Sequence, residues 1–271
     1  MTMDSRAVLE LMKHAAEEEI RPRFRALSAE DIHEKAPGDV VTVADRESER
    51  VIAEVLAKEY PDALIVGEEA TSSDPSILDR LRTVEHAWTI DPIDGTKNFV
   101  SGDDNYAVMV AEIRGDETVR AWVWEPENDV AHVAEKGAGT YRNEERVNRS
   151  IPDPQTLSST LRGGISSRYV LPWGDIGIPA PSASSGSAGV DYGLILNDIF
   201  DWVAFKSDWP WDHTPGALLV NEAGGFAGRP DGSIYDPRVR RPWILTGASE
   251  PAFEFLAQAF SKSIESAGTD R

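Results

Sequence analysis

Apolar positions recur at helical spacing near the start of the chain, where Val8, Leu9, Leu11, Met12, Ala15 and Ala16 are followed by Ile20, Phe24 and Leu27. The pattern predicts an amphipathic helix over 4–27, entered at Asp4 or Ser5 as N-cap. Pro22 should kink it or end it early. Residues 28–39, which include Pro37-Gly38, read as a loop. A second helix is expected over 45–60, with Val51, Ile52, Val55 and Leu56 inward. Two apolar runs then read as buried strands. Residues 63–66 end in Gly67-Glu68-Glu69, and residues 87–90 end in Asp91-Pro92-Ile93-Asp94-Gly95-Thr96. Strand-like runs at 105–113, 118–124 and 129–135 predict an antiparallel meander.

The prolines of Ile151-Pro152-Asp153-Pro154 break this pattern and divide the chain into halves 1–150 and 151–271. The second half reads as strand 160–165, helix 187–199, strand 201–206, helix 212–223, strand 243–246 and helix 251–265. Gly224-Gly225 stops the helix that precedes it. Gly137-Ala138-Gly139 lacks the third glycine of a nucleotide loop and reads as a turn. Helices and strands mixed through both halves imply a layered α+β architecture.

Composition narrows the chemistry. Across 271 residues, 27 Lys+Arg face 47 Asp+Glu, a net charge of −20 that argues against binding a nucleic-acid backbone. The surplus acids read mainly as a solvated surface. There is no cysteine, which removes disulfides, thiol nucleophiles and thiolate-bound metals. The five histidines form no HExxH pair, so oxygen-ligated Mg²⁺, Mn²⁺ or Ca²⁺ is the metal class left open. No apolar run is long enough to span a membrane, and the first residues lack the apolar segment of a leader peptide. A cytoplasmic protein with no membrane or nucleic-acid partner is expected.

The most informative segment is Asp91-Pro-Ile-Asp-Gly-Thr-Lys-Asn-Phe99. Two acids three apart, locked by Pro92 and released by Gly95, should lie on one side of a tight turn at a strand end. Adjacent carboxylates repel and raise each other's pKa unless a cation joins them, and a hard divalent ion answers that need. Beyond Gly95 the chain can start a helix whose free amides suit a phosphate. An isolated DxxD is commonly just a solvated turn; the glycine-threonine tail and motifs elsewhere make this one more restrictive.

Asp91-Pro92-Ile93-Asp94-Gly95-Thr96 resembles the metal-binding signature of the inositol monophosphatase family. The family's other pieces follow in order: Gly67-Glu68-Glu69 upstream, Ser185-Gly186-Ser187-Ala188 between, and Trp211-Asp212 with Asn221-Glu222-Ala223-Gly224-Gly225 downstream. The resemblance spans about residues 5–260 and implies an αβαβα sandwich similar to fructose-1,6-bisphosphatase, with the site between the halves. It implies that Glu68, Asp91 and the Ile93 carbonyl bind one metal ion, and that Asp91, Asp94 and Asp212 bind a second. Thr96 would hold the attacking water with help from Asp45, and Asp91 and the Gly95 and Thr96 amides would meet the phosphate. Implied cofactors are two or three Mg²⁺ per site, with Mn²⁺ as a substitute. The implied partners are a small phosphate monoester and a second copy of the chain in a homodimer, and lithium inhibition is expected.

Elementary chemistry supports these roles. Paired metal ions can stabilise the attacking and leaving oxygens of an in-line displacement. A hydroxyl such as Thr96 can orient water while Asp45 accepts its proton. Direct hydrolysis, without a covalent intermediate, is expected. Asp212, at a helix start, could serve as N-cap as well as ligand. Glu69 is either a supporting base or a solvated neighbour, and His213 reads as structural. Lys97 either meets a substrate anion or neutralises an acidic rim. Trp209 and Trp211 read as core, with a pocket wall as the alternative.

The substrate is less legible. Family members that act on inositol phosphates carry an acid seven residues before the last metal-binding Asp, and here that position is Phe205. Phe cannot accept a hydrogen bond from a polyol, while Lys206 beside it could meet a substrate acid. Ser187 and Ala188 are further candidates for substrate contact. The DPIDGTKNF string is also similar to that of histidinol-phosphate phosphatases, which makes histidinol phosphate an alternative. A sugar bisphosphate or 3′-phosphoadenosine 5′-phosphate is disfavoured, as no basic cluster awaits a second phosphate. A regulatory binding protein with a vestigial site is the reading from another class, and the intact acids argue against it.

Overall fold

A computed structural model describes residues 3–150, 157–165 and 178–267 of the chain. The proposed boundary at 151–154 lies outside the described residues. Helix α1 (Ser5–Ala15) is capped by Asp4, which accepts the Ala7 amide at 2.7 Å. It continues through a π turn and ends in a 3₁₀ turn at Arg21–Arg23, where Pro22 withholds an amide as expected. Residues read as a loop instead form a hairpin, β1 (Ile32–Ala36) and β2 (Asp39–Thr42), around Pro37-Gly38. Helix α2 (Val43–Glu59) begins at Thr42 in a capping box closed by Asp45. Its buried face is Ala44, Asp45, Ser48, Glu49, Ile52 and Leu56, so polar groups enter the interior where only apolar ones were expected.

Strand β3 (Leu64–Gly67) leads into helix α3 (Glu68–Ser73) and helix α4 (Ser76–Leu81). Strand β4 (His86–Asp94) leads into the short helix α5 (Thr96–Ser101). The meander follows as β5 (Ala107–Arg114), β6 (Glu117–Glu125) and β7 (Val130–Glu135), extended by β8 (Gly139–Arg142) and β9 (Glu145–Arg146). These seven strands form one sheet in sequence order, with only β3 and β4 parallel. Gly137-Ala138-Gly139 is the turn between β7 and β8, and Glu222 accepts the amides of both glycines at 2.9 Å.

The second half supplies α6 (Leu157–Thr160), β10 (Gly163–Ile165), β11 (Ser182–Ala183), α7 (Ala188–Leu196), β12 (Trp202–Phe205), α8 (Pro210–Glu222), β13 (Phe226–Gly228), β14 (Ile244–Gly247) and α9 (Glu250–Ala267). Its strands form a five-stranded mixed sheet in the order β11-β10-β12-β14-β13.

Packing sets five layers. Val8, Met12, Ile52 and Leu56 of α1 and α2 bury Trp88, Val108, Val110 and Trp122 on one face of the large sheet. Alternate residues Ala107, Met109, Ala121 and Val123 face the other way, onto Leu196 of α7 and Leu218 and Leu219 of α8. The same two helices meet the small sheet through Tyr192, Ile195, Val203 and Val220, and α9 covers its far side with Phe253, Leu256 and Phe260. The central helices can approach closely because glycine stands at the crossing: a Cβ on Gly216 would lie 2.0 Å from the Tyr192 ring. The order is α, β, α, β, α, the layered sandwich expected. Among the described residues no helix is long and apolar enough to cross a membrane.

Candidate active site

A cavity of about 520 Å³ opens where β4 ends and α3, α5 and α8 begin, lined by Glu68, Asp91, Asp94, Gly95, Thr96, Lys97 and Asp212. In a regular strand, residues three apart face opposite sides. Here Asp91 pairs with Met109 and Asp94 with Ala107, so three steps along β4 match two along β5. The extra residue is a bulge at Pro92-Ile93 that brings both acids to the cavity. Pro92 has no amide to give the ladder and is suited to that place. The expected turn at a strand end is therefore corrected: the strand runs on to Asp94, and the bulge aims the acids. Gly95 then takes φ +94°, and a Cβ there would also stand 3.1 Å from the Asn105 carbonyl oxygen.

The other ligand candidates come from helix starts. Glu68 is the first residue of α3. Asp212 is the third residue of α8, whose N-cap is Trp209 and whose first residue is Pro210. Asp212 is thus inside the first turn rather than at the cap. Asp45 lies behind Thr96: one carboxylate oxygen takes the Thr42 amide (2.8 Å) and hydroxyl (2.6 Å), and the other faces the Thr96 hydroxyl at 3.0 Å. That hydroxyl is also 3.0 Å from the Ile93 carbonyl oxygen.

Electrostatics give the cluster its character. Burial pushes Asp91 well above the usual carboxylate range, and Glu68, Asp94, Asp212 and Asp45 push the same way. Asp212 rises for the same reason, with Asp94 and Glu68 adding to burial. Burial lifts Asp94 to about 6 although Ser187 and the Gly189 amide (2.6 Å) both donate to it. Asp45 is lifted to about 6 by burial, against its bonds to Thr42. Glu68 is lifted to about 7 by burial, against the pull of Lys35.

These residues fit a hard divalent ion. The donors are all oxygens, and the Asp91 Oδ1 atom is buried without a hydrogen-bond partner. Among the described residues no three acids or histidines are gathered tightly enough to enclose a metal ion as they stand. Lys35 Nζ occupies Glu68 at 2.6 Å and Glu69 at 2.8 Å.

Several expected positions lie elsewhere. Ser187 turns its hydroxyl to Asp94 and caps α7, with Ala188 next to it and buried. Phe205 packs between Tyr192 (5.3 Å) and His213 (4.8 Å), and neither it nor Lys206 lines the cavity. His213 is buried and lies 3.2 Å from the Tyr192 hydroxyl, a structural place. Lys97 is exposed on the rim. Trp211 is buried in the core and Trp209 is 39% exposed; the two stack and both wall the cavity. Sequence reasoning missed Lys35, whose hairpin carries no clear alternation, and Glu49, an acid in register with the buried Ile52 and Leu56 of α2.

The chain has relatives in sequence and in fold. A family model described as the inositol monophosphatase family matches residues 4–265. A fructose-1,6-bisphosphatase/inositol-1-monophosphatase of Aquifex aeolicus is 32% identical over 258 residues, covering 91% of each chain. A putative Nus factor SuhB of Neisseria meningitidis serogroup A is 30% identical over 209 residues, covering 74% of this chain and 77% of its own. The fold matches that of a solved Thermotoga maritima IMPase at a TM-score of 0.75 and 24% identity, over 95% of this chain and 96% of that one. A family match along nearly the whole chain, added to the acids that converge at the end of β4, makes this protein a phosphatase of the inositol monophosphatase family.

Proposed function

We propose that the chain is a Mg²⁺-dependent phosphomonoesterase that cleaves a small phosphorylated polyol or amino alcohol by direct in-line attack of water. The observation that carries this reading is the meeting of Glu68, Asp91, Asp94 and Asp212 in one cavity with the Thr96–Asp45 pair beside them. Glu68, Asp91 and the Ile93 carbonyl would hold one ion; Asp91, Asp94 and Asp212 would hold the other. Divalent ions held there would supply positive charge to the phosphoryl and leaving oxygens and make water a better nucleophile.

The remaining work falls to the chain itself. The Thr96 hydroxyl, directed at Asp45, keeps lone pairs to orient the attacking water, and Asp45 is placed to take a proton through it. A group lifted to about 6 is a serviceable base near neutral pH. Gly95 and Thr96 amides open α5 and suit the phosphate oxygens. Gly189 and Ser187 fix Asp94, so the geometry is held before substrate arrives.

With Phe205 packed against Tyr192 and His213, no acid reaches the cavity from that position to accept polyol hydroxyls, which disfavours myo-inositol phosphate and keeps histidinol phosphate as the alternative substrate. The test is phosphate release from p-nitrophenyl phosphate and from a panel of sugar, polyol and amino-alcohol phosphates, with Mg²⁺ and with EDTA. Mg²⁺-dependent turnover with a clear preference among the natural esters is expected; equal rates in EDTA would end the proposal.

A further inference from the structure

We infer that Glu49 is a positioning residue for the metal-binding carboxylate Glu68, an inference that rests on the metal site proposed above. Glu49 sits on the buried face of α2 and is 5% exposed. Its two carboxylate oxygens are divided between two backbone amides: Oε2 accepts from Glu69 at 2.7 Å and Oε1 from Ala70 at 2.8 Å. Those are the second and third amides of α3, the helix that Glu68 begins. The helix has no cap of its own, because its N-cap is Gly67, which has no side chain. Glu49 supplies from another helix what the local sequence lacks.

The fit is close enough to dictate the residue at 67. A Cβ on Gly67 would fall 2.3 Å from the Glu49 carboxyl carbon and 2.3 Å from its Oε1, so Gly67 clears the space that the carboxylate fills. Glu68 lies between these two features. Its backbone is fixed on one side by the end of β3 and on the other by the fork that grips the next two amides. The choice of acid follows from counting acceptors. Two amides need two acceptor oxygens; a glutamine offers one, and turns an NH₂ group toward an N–H. Burying a carboxylate beside an already acidic cavity is unfavourable, and it is retained where a pair of amides must be held in register.

The experiment is a calorimetric titration of the full-length protein with Mn²⁺ in the absence of substrate, on wild type, Glu49→Gln and Gly67→Ala. Both variants should remain folded and bind the ion about 10-fold or more weakly, as expected when the support of a ligand is lost. Gly67→Ala reaches the defect from the other side, by displacing the carboxylate, and keeps the test open should Glu49→Gln fold poorly. The Mg²⁺ concentration for half-maximal phosphate release should rise by the same factor, with activity recovering as Mg²⁺ is raised. Asp4→Ala, which removes the exposed cap of α1, controls for a purely structural loss: it should lower the melting temperature and leave metal affinity in place. Glu49→Gln and Gly67→Ala that melt earlier yet bind Mn²⁺ as wild type does would overturn the inference. Wild type that takes up no divalent ion would overturn the metal site itself, and the inference with it.

Discussion

Strand β4 has buried carboxylates at both ends, and the protein treats the two ends in opposite ways. At its first residues lies Glu112 of the neighbouring strand β5, 2% exposed. It receives Arg120 Nε at 2.5 Å, Arg114 Nε at 2.9 Å and lies 2.9 Å from His86 Nε2. Burial pushes Glu112 up, but the two arginines outweigh it and hold the group below its ordinary value. At the last residues of the strand, burial drives Asp91 and Asp94 upward, with Glu68, Asp94 and Asp212 adding to the rise of Asp91 and Asp191 to that of Asp94. Of the two lysines that line the cavity, Lys35 engages Glu68 and Glu69, and Asp91 Oδ1 is without a partner. Glu112 is matched by guanidinium groups of the chain itself, whereas Asp91 at the cavity is matched by none, which is the arrangement the proposed metal site calls for.

The sharpest way to break this comparison is to neutralise one acid at each end. Asp91→Asn should lower phosphate release about a thousand-fold, the scale on which a central electrostatic group acts. In EDTA the same variant should melt at or above wild type, because a repelling charge has been removed. Glu112→Gln should do the reverse: it should cost about 3 kcal/mol, since buried arginine loses its counter-charge, while turnover per folded molecule in Mg²⁺ stays near wild type. Phosphate-release assays and melting curves on both variants decide it, and losses of the same kind at both ends would remove the distinction.

The pH dependence should separate the ends next. Burial lifts Asp45 and Asp94 from 3.8 to about 6 and Glu68 from 4.5 to about 7. A folded-state value above the unfolded one favours the protonated folded form. The stability these groups lend is therefore full below about pH 4 and is lost as pH rises through 6 to 7. EDTA-treated protein should melt about 5 °C lower or more at pH 8 than at pH 5, and saturating Mg²⁺ should abolish the difference. Glu112 has the opposite sign, because its folded value is lowered. Its contribution is present above 4.5 and lost as pH falls below that. Scanning calorimetry across pH 3 to 8, with and without Mg²⁺, checks both arms; a flat metal-free profile from 5 to 8 would show that the cluster is not strained.

Lys35 offers a smaller and more selective probe. It is the cation that stands by Glu68, so it competes with an incoming divalent ion for that carboxylate. Lys35→Met should tighten Mn²⁺ binding several-fold, on the order of 1 kcal/mol for a partly screened charge pair. Calorimetric titration reads the change directly, and weaker binding in the variant would mean that Lys35 assists the ion rather than opposing it.

How legible these features are in sequence depends on whether their cause is local. Asp91-Pro-Ile-Asp-Gly-Thr announces itself because proline, glycine and paired acids each carry a local constraint; the helices α1, α2 and α9 show through their periodicity, and α8, buried on nearly every side, through its Gly224-Gly225 stop. The bulge at Pro92-Ile93 is a matter of register against β5, and spacing alone does not reveal it. The hairpin β1–β2 is exposed or half-buried on most of its length, so it has no apolar alternation and nothing local marks Lys35. Asp212, a ligand candidate that could also cap a helix, lies in the first turn of α8, because Pro210 marks the first helical residue. Glu49 shares a helical face with Ile52 and Leu56, and that spacing is the local signal for a buried acid. Ser187, Phe205 and Lys206 could be placed only by the packing of α7 and β12, which is long-range.

The smallest expected effect tests whether the structural end of β4 is closed by redundancy. Arg114 and Arg120 both reach Glu112, but the Arg114 side chain is 46% exposed and Arg120 only 15%. Solvent screens the first pair and not the second, so Arg114→Ala should cost no more than about 0.5 kcal/mol, a shift of roughly 1–2 °C in melting temperature. Arg120→Ala should cost several times as much, because Arg120 also lies over the rings of Trp88 and Trp122 and donates to the Met3 carbonyl. Neither variant should alter Mn²⁺ affinity, since both sit at the opposite end of the strand from Asp91. If Arg114→Ala were as damaging as Glu112→Gln, neutralisation at this end would depend on every partner at once. The contrast with the open, cation-seeking end would then be one of degree.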